Sequence, residues 1–136
     1  MKTLIINGSP RNNSRSMMVA EKFVEGIHNS TNCEVEVIDL NKMNVEHCKG
    51  CFCCWKHTPG KCAIRDDMDI INEKILESDT IVLAFPLYFF GVASRMKTVI
   101  DRLLPFKFPY NGRLATEENL TILDFRPEII NKKFII

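Results

Sequence analysis

The sequence predicts an α/β fold of three layers, a parallel sheet held between helices. Three observations predict it. Apolar runs at residues 4–6 and 81–85, and a β-branched segment at 35–38, alternate with segments whose apolar residues recur at helical spacing. The run Ile81-Val82-Leu83-Ala84-Phe85 contains no polar residue, as a strand buried on both faces requires. Strands alternating with helices at this spacing make βαβ units, whose crossovers are right-handed.

Each element has its own signal. Leu4-Ile5-Ile6 is a short strand closed by Gly8-Ser9-Pro10. Residues 14–27 form a helix with Met17, Ala20, Phe23, Val24 and Ile27 on one face. Val35, Val37 and Ile38 mark the second strand. Asp66-Asp67 supplies an N-cap and negative charge to a helix carrying Met68, Ile71 and Ile75. The third strand stops at Pro86, and a last helix over 94–104 turns Met96, Val99, Ile100 and Leu103 inward until Pro105 ends it. An irregular segment follows, and Lys133-Phe134-Ile135-Ile136 opens a fourth strand. Sheets wound this way have five strands in the order 2-1-3-4-5. The fifth is expected to be missing, so that residues 1–136 form a single, C-terminally incomplete domain. Apolar surface is then expected to be left bare, as in a fragment, a truncated gene product or a chain that relies on a partner.

Composition narrows the function. The 136 residues, 46% apolar and 26% charged, suit one globular domain with a sizeable core. A net charge of +1, with bases and acids interleaved, gives no case for nucleic-acid binding. No apolar run approaches the roughly 20 residues that span a bilayer. The apolar start at Leu4 stops at Asn7-Gly8, too soon for a secretory leader. A cytoplasmic protein without membrane partners is expected. Six cysteines, four in a tight cluster, then point to metal or redox chemistry rather than a disulfide framework.

The turn after the first strand, Asn7-Gly8-Ser9-Pro10-Arg11-Asn12-Asn13-Ser14-Arg15-Ser16, sits at the sheet edge where open α/β folds bind ligands. Free N–H groups at the following helix start favour an anion. Ser9, Ser14 and Ser16 add hydroxyl donors, and Arg11 or Arg15 adds charge. A terminal phosphomonoester suits this set. Neither G-x-G-x-x-G nor G-x-x-x-x-G-K is present. An ordinary Ser/Asn-rich turn with a helix cap has the same composition.

Pro86-Leu87-Tyr88-Phe89-Phe90-Gly91 leaves the third strand at the same edge. A flat isoalloxazine ring needs apolar walls and a few backbone donors. Tyr88, Phe89 and Phe90 supply walls, and Gly91 permits close backbone approach. Any one of these aromatics alone reads as a core residue.

Together, Ile6-Asn7-Gly8-Ser9-Pro10-Arg11, the Cys48-Lys49-Gly50-Cys51 segment, Asp66-Asp67-Met68, and Pro86-Leu87-Tyr88-Phe89 through Lys97 and Asp101-Arg102 resemble the NADPH-dependent FMN reductase and iron–sulfur flavoprotein family. The resemblance covers about residues 1–104. It implies a flavodoxin-like fold, FMN as cofactor, NAD(P)H as electron donor and a homo-oligomer. It also implies that Ser9, Arg11, Ser14 and Ser16 hold the phosphate, with Asn13 and Met17 in the same cofactor-binding loop. Pro86, Leu87, Tyr88, Phe89 and Gly91 would line the ring, with Phe90 beside them. The family's third flavin-contacting loop follows its fourth strand and has no counterpart in this chain.

Cys48, Cys51, Cys54 and Cys62 follow the spacing C-x2-C-x2-C-x7-C within a Cys-rich loop over 47–65, with Cys53 as an extra thiol. Four thiolates can surround a 4Fe–4S cluster, and the spacing resembles the iron–sulfur flavoproteins. Three alternatives stand beside it: a similar loop with no metal, a zinc site, and a peroxide-sensitive thiol pair. Since the loop follows the second strand, it should lie near the flavin turns, within electron-transfer reach. Cys33 reads as a packed thiol, His47 and His57 as solvated, and Trp55 as packing the loop onto the domain. Asp101-Arg102 reads as a surface or interface pair worth little energetically.

The leading expectation is an FMN-dependent oxidoreductase. It takes hydride from NAD(P)H, or electrons from a ferredoxin-like donor. It passes them to a small acceptor: a quinone, a nitro or azo compound, or free flavin. The cofactor carries the chemistry, so no catalytic side chain is named. A non-enzymatic electron carrier between partner proteins is the second expectation, and a flavin-free remnant that only binds partners the third.

Overall fold

A computed structural model of the chain describes residues 1–107 and 127–136. The irregular segment expected before the fourth strand lies mostly outside the described residues. Strand β1 (Lys2–Asn7) is followed by α1 (Arg15–Ser30), β2 (Glu34–Asp39) and a 3-10 turn at Leu40–Lys42. Helices α2 (Cys53–Lys56) and α3 (Met68–Glu77) lead to β3 (Thr80–Ala84). A small hairpin, β4 (Leu87–Tyr88) and β5 (Gly91–Val92), precedes α4 (Ser94–Asp101) and a 3-10 turn at Leu104–Phe106. Helix α5 (Pro127–Ile130) and β6 (Lys133–Ile135) close the described chain.

The main sheet has the order β2-β1-β3-β6, with every pairing parallel. The expected α/β architecture is present, with β6 beside β3 as the fourth strand. Asn7 is in register with both Asp39 and Ala84, so three strands end together at one edge.

Alternation along β1 divides the core. Leu4 and Ile6 face α3 and α4, joining Met68, Ile71, Ile75, Met96 and Val99. Ile5 faces α1 with Ala20, Val24, Val82 and Ala84. Each such aliphatic side chain contributes about 1.5–3 kcal/mol by leaving water. Residues Thr80–Ala84 are buried throughout, as the unbroken apolar run predicts.

The α1 face is the thinner one among the described residues. Val35 and Val37 stay exposed there, lining an open groove beside α1. Phe23 is also 41% exposed, contrary to the expected inner face of α1. The reason is angular. At 3.6 residues per turn, Phe23 stands roughly 80° from the centre of the stripe made by Met17, Ala20, Val24 and Ile27.

Helix α4 also ends earlier than expected, at Asp101 rather than 104. Pro105 has no N–H to continue the ladder and disfavours helical backbone at Leu104. The chain tightens instead, with the N–H of Phe106 donating to Leu103 and that of Lys107 to Leu104. No helix among the described residues is long and apolar enough to cross a membrane.

Candidate functional site

Two turns leave β1 and β3 side by side. The N–H of Gly8 donates to the carbonyl of Ala84 at 2.8 Å, tying the first residue beyond β1 to the last of β3. The turn after β1 is then built from its own polar groups. The N–H of Ser9 donates to Asn7 Oδ1 (3.1 Å) and that of Arg11 to Ser9 Oγ (3.3 Å). Asn41 Nδ2 holds the Ser9 carbonyl at 2.6 Å, bringing in the end of β2. Ser14 caps α1, its Oγ accepting from the N–H of Met17 at 3.1 Å. The N–H groups ahead of Met17 have no acceptor inside the helix.

Ser9 and Ser14 are thus buried and hold the loop itself. Arg11, Asn13 and Arg15 stand exposed, with Ser16 and Met17 half-buried behind them. The arrangement offers an anion backbone donors, hydroxyls and two nearby cations.

The turn after β3 is the hairpin of β4 and β5. Leu87 pairs with Val92 and Tyr88 with Gly91, leaving Phe89 and Phe90 as the two turn residues. Both have positive φ, 45° and 60°. A two-residue turn of type I′ needs positive φ at both positions, and its usual occupants are Asn and Gly. Bulky residues there are strained. Phe89 and Phe90 are nevertheless 97% and 93% exposed, with ring centres 6.0 Å apart. Nothing within the described fold rewards aromatic side chains at these positions. Leu87 and Tyr88 are exposed and Pro86 and Gly91 half-buried. A Cβ on Gly91 would meet nothing nearer than 3.7 Å, so internal packing does not demand glycine there.

The Cys-rich segment packs on the far end of α4. It is not wholly a loop, because Phe52 in left-handed conformation starts the single turn of α2. Cys48, Cys51, Cys54 and Cys62 all line one small cavity, of about 20 Å³, and Cys53 does not. The four cysteines singled out from their spacing are therefore the four brought together. Among the described residues, no Cys, His, Asp or Glu side chains converge closely enough to hold one metal ion. A single zinc, at 2.3 Å from each sulfur, needs them about 3.8 Å apart.

Their environments differ. The N–H of Cys53, then its side chain, hold the Cys51 thiol below its ordinary pKa. The hydrogen bond to Cys51 pushes Cys53 up, and burial pushes Cys54 up. His47 and His57 are exposed, Cys33 is buried against Thr3 Oγ1 at 3.1 Å, and Trp55 Nε1 donates to Leu104 at 3.2 Å.

Arg102 overturns its sequence reading. It is not a surface residue paired with Asp101. Its side chain is 1% exposed and forms an ion pair at 2.9 Å with Asp66, itself 4% exposed. Asp101 pairs with Lys97 instead. The cause is the turn at the end of α4, which swings residue 102 inward under the Cys-rich segment. Asp66 accepts from both guanidinium prongs and from the N–H groups of Glu46 and Met68. Burial raises the Asp66 pKa, but these bonds outweigh it and hold the carboxyl below its usual range. Asp66 also caps α3 through Met68, the role expected of the Asp66-Asp67 pair, whereas the Asp67 side chain accepts from Asn44.

Comparison with known proteins places the chain in a family. The model of a family described as NADPH-dependent FMN reductase matches residues 1–116. The chain is 37% identical over 106 residues to an iron–sulfur flavoprotein of Archaeoglobus fulgidus, covering 78% of this chain and 47% of that one. It is 34% identical over 113 residues to an iron–sulfur flavoprotein of Methanocaldococcus jannaschii, covering 83% and 57%. The chain thus spans about half the length of the curated relatives it matches. The structure of an NAD(P)H:quinone oxidoreductase from Methanothermobacter marburgensis shares the fold, with a TM-score of 0.62 and 23% identity over 76% of this chain and 53% of that one.

Proposed function

Because the chain belongs to the NADPH-dependent FMN reductase family, we propose that it binds FMN at the β1 and β3 turns and serves an NAD(P)H-dependent oxidoreductase. One observation carries this reading. The Gly8–Ala84 hydrogen bond sets an anion-friendly turn directly beside a turn of exposed aromatics. The residues present fit a mononucleotide. The open N–H groups of α1, with Arg11, Asn13, Ser14 and Ser16, receive the phosphate. Ser9 and Asn41 hold that turn in shape. Tyr88, Phe89 and Phe90 cover the ring, with Pro86, Leu87 and Gly91 as its edge and Met17 behind the phosphate. Bound there, FMN supplies hydride and electron transfer from NAD(P)H to a small acceptor such as a quinone, a nitro or azo compound, or free flavin. A homo-oligomer gives the bare aromatic turn a cover.

The strained Phe89–Phe90 turn fits this role, because strain of this kind persists where a ligand repays it. The test is titration of the purified protein with FMN, followed by NADPH. Quenching of flavin fluorescence with saturation, then bleaching by NADPH alone, is the expected result. Failure to take up FMN at any concentration sinks the reading.

A second reading rests on the cysteines. Cys48, Cys51, Cys54 and Cys62 would hold a 4Fe–4S cluster, which takes four cysteine ligands. Cys51 is exposed and Cys48 and Cys62 are half-buried, so these side chains can turn outward to admit a group larger than the present cavity. Helix α4 links the two sites. Met96 packs on the β1 turn and Arg102 lies under the cysteines, about 9 Å apart along the helix axis. That separation suits an electron carrier fed by a ferredoxin-like donor. Fast reduction by ferredoxin with sluggish reduction by NADPH would favour it over the first.

A further inference from the structure

We propose that Arg102 is the positioning residue of the four-cysteine cavity, clamping both ends of the Cys-rich segment and presenting its remaining N–H to the sulfur of Cys62. The proposal rests on the cluster reading of those cysteines.

A guanidinium carries five N–H donors. Four of them are spent. Nη1 donates to the Glu46 carbonyl at 2.7 Å and to Asp66 at 2.9 Å. Nη2 donates to the Ile64 carbonyl at 3.2 Å and to Asp66 at 2.9 Å. Glu46 and Ile64 flank the cysteines, so one side chain closes the whole segment into a loop. The fifth donor, Nε, is buried and has no hydrogen-bond partner among the described residues.

A buried donor left unmet on a charged group is costly and calls for an explanation. The explanation lies in where it sits. Arg102 lines the same cavity as Cys48, Cys51, Cys54 and Cys62. Cys62 is the thiol within charge and hydrogen-bonding reach of the guanidinium, while Nε itself completes no hydrogen bond of good geometry among the described residues. Asp66 is a full counter-ion already, so the spare N–H is not needed to hold the arginine in place. It is a donor awaiting a sulfur that carries more charge. Thiolates around a cluster provide that sulfur, and hydrogen bonds to cluster sulfurs raise the reduction potential by favouring the more negative state.

A residue that only clamps the loop makes a different forecast from one that also donates to sulfur. Arg102→Gln and Asp66→Asn break the same ion pair from opposite sides. A pure clamp fails in the same way for both. If Arg102 donates to sulfur, Arg102→Gln lowers the midpoint potential, since a cation and a donor are lost. Asp66→Asn raises it, since a nearby negative charge is lost while the Nε–H remains.

The experiment reconstitutes the full chain anaerobically with iron and sulfide. It measures iron and sulfide content, then the midpoint potential by reductive titration followed optically and by electron paramagnetic resonance. Opposite shifts in the two variants are the expected result. Shifts of one sign, or none in either variant, overturn the proposal and leave Arg102 a clamp. Should Arg102→Gln fail to retain iron, Arg102→Lys decides in its place. It keeps the charge but loses the fixed Nε–H of the guanidinium, its ammonium being held by Asp66, so a lowered potential supports the proposal and an unchanged one overturns it. A wild-type chain that takes up no iron removes the cluster reading itself, and this proposal with it.

Discussion

A Cβ built on Gly8 would lie 2.8 Å from Cβ of Met96, closer than packed carbons approach. Helix α4 therefore rests directly on the turn that leaves β1. Gly8→Ala must push the helix or the turn aside, at a cost of about 1–3 kcal/mol. Denaturant titration should show the loss of stability, and FMN affinity should fall with it. An alanine variant of unchanged stability and affinity would mean that this contact is looser than described.

The Phe89–Phe90 turn makes a prediction of opposite sign for stability and binding. Replacing the pair with Asn-Gly supplies residues that accept positive φ. Relief of the strain should stabilise the protein by about 1–2 kcal/mol. The same change removes two aromatic walls, so FMN affinity should drop. Thermal melts and flavin titrations on one preparation test both halves. Loss of stability together with unchanged affinity would contradict the proposed role of these rings.

The Asp66–Arg102 pair is buried, so removing one partner strands the other. Arg102→Ala should cost about 3–5 kcal/mol, against the small cost of a surface pair. Acid should act on the same contact. The Asp66 carboxyl is held below its ordinary value of about 3.9. A depressed carboxyl contributes stability that is complete above its unfolded pKa and lost as pH falls through its folded pKa. The Cys-rich segment should stay docked from neutral pH to about pH 5 and loosen below about pH 4. Trp55 is the one tryptophan in the chain and donates from that segment to Leu104. Its emission should stay constant down to pH 5 and shift red below pH 4. In Asp66→Asn this acid transition should vanish.

Thiol reactivity should rank the cysteines in metal-free protein. Cys51 is exposed, and the N–H of Cys53 favours its thiolate. Cys54 is buried, and burial disfavours its thiolate. Maleimide at neutral pH should label Cys51 first, with Cys54 roughly tenfold slower or more. Peptide mapping by mass spectrometry reads the order, and early labelling at Cys54 would show a looser segment.

Much of the fold was legible because its signals are local. An unbroken apolar run such as residues 81–85 has one comfortable home, the middle of a parallel sheet. The β1 turn was legible as a Ser/Asn-rich turn ahead of a helical stripe, but which serine caps the helix was not. The four cysteines stand out by their spacing and by the family resemblance it carries, and they line one cavity. Arg102 was not legible. Its partner is 36 residues away, and nothing in the dipeptide Asp101-Arg102 says which side chain turns inward. A hint lay in Asp66-Asp67, two carboxylates where one cap suffices. Nor was the conformation of Phe89 and Phe90 legible, because turn preferences argue against it. Phe23 was misplaced because helical spacing defines a stripe without saying how wide a strip its neighbours cover.

Helix α4 has only eight residues between Ser94 and Asp101. A rod of barely two turns has no room to bend, so its ends move as one body. The gap between the β1 turn and the cysteine segment is thus cut to length by a single part, rather than left to two loops drifting independently. Pushing on either end tilts the other, and substitutions at Met96 and Arg102 should therefore fail to add.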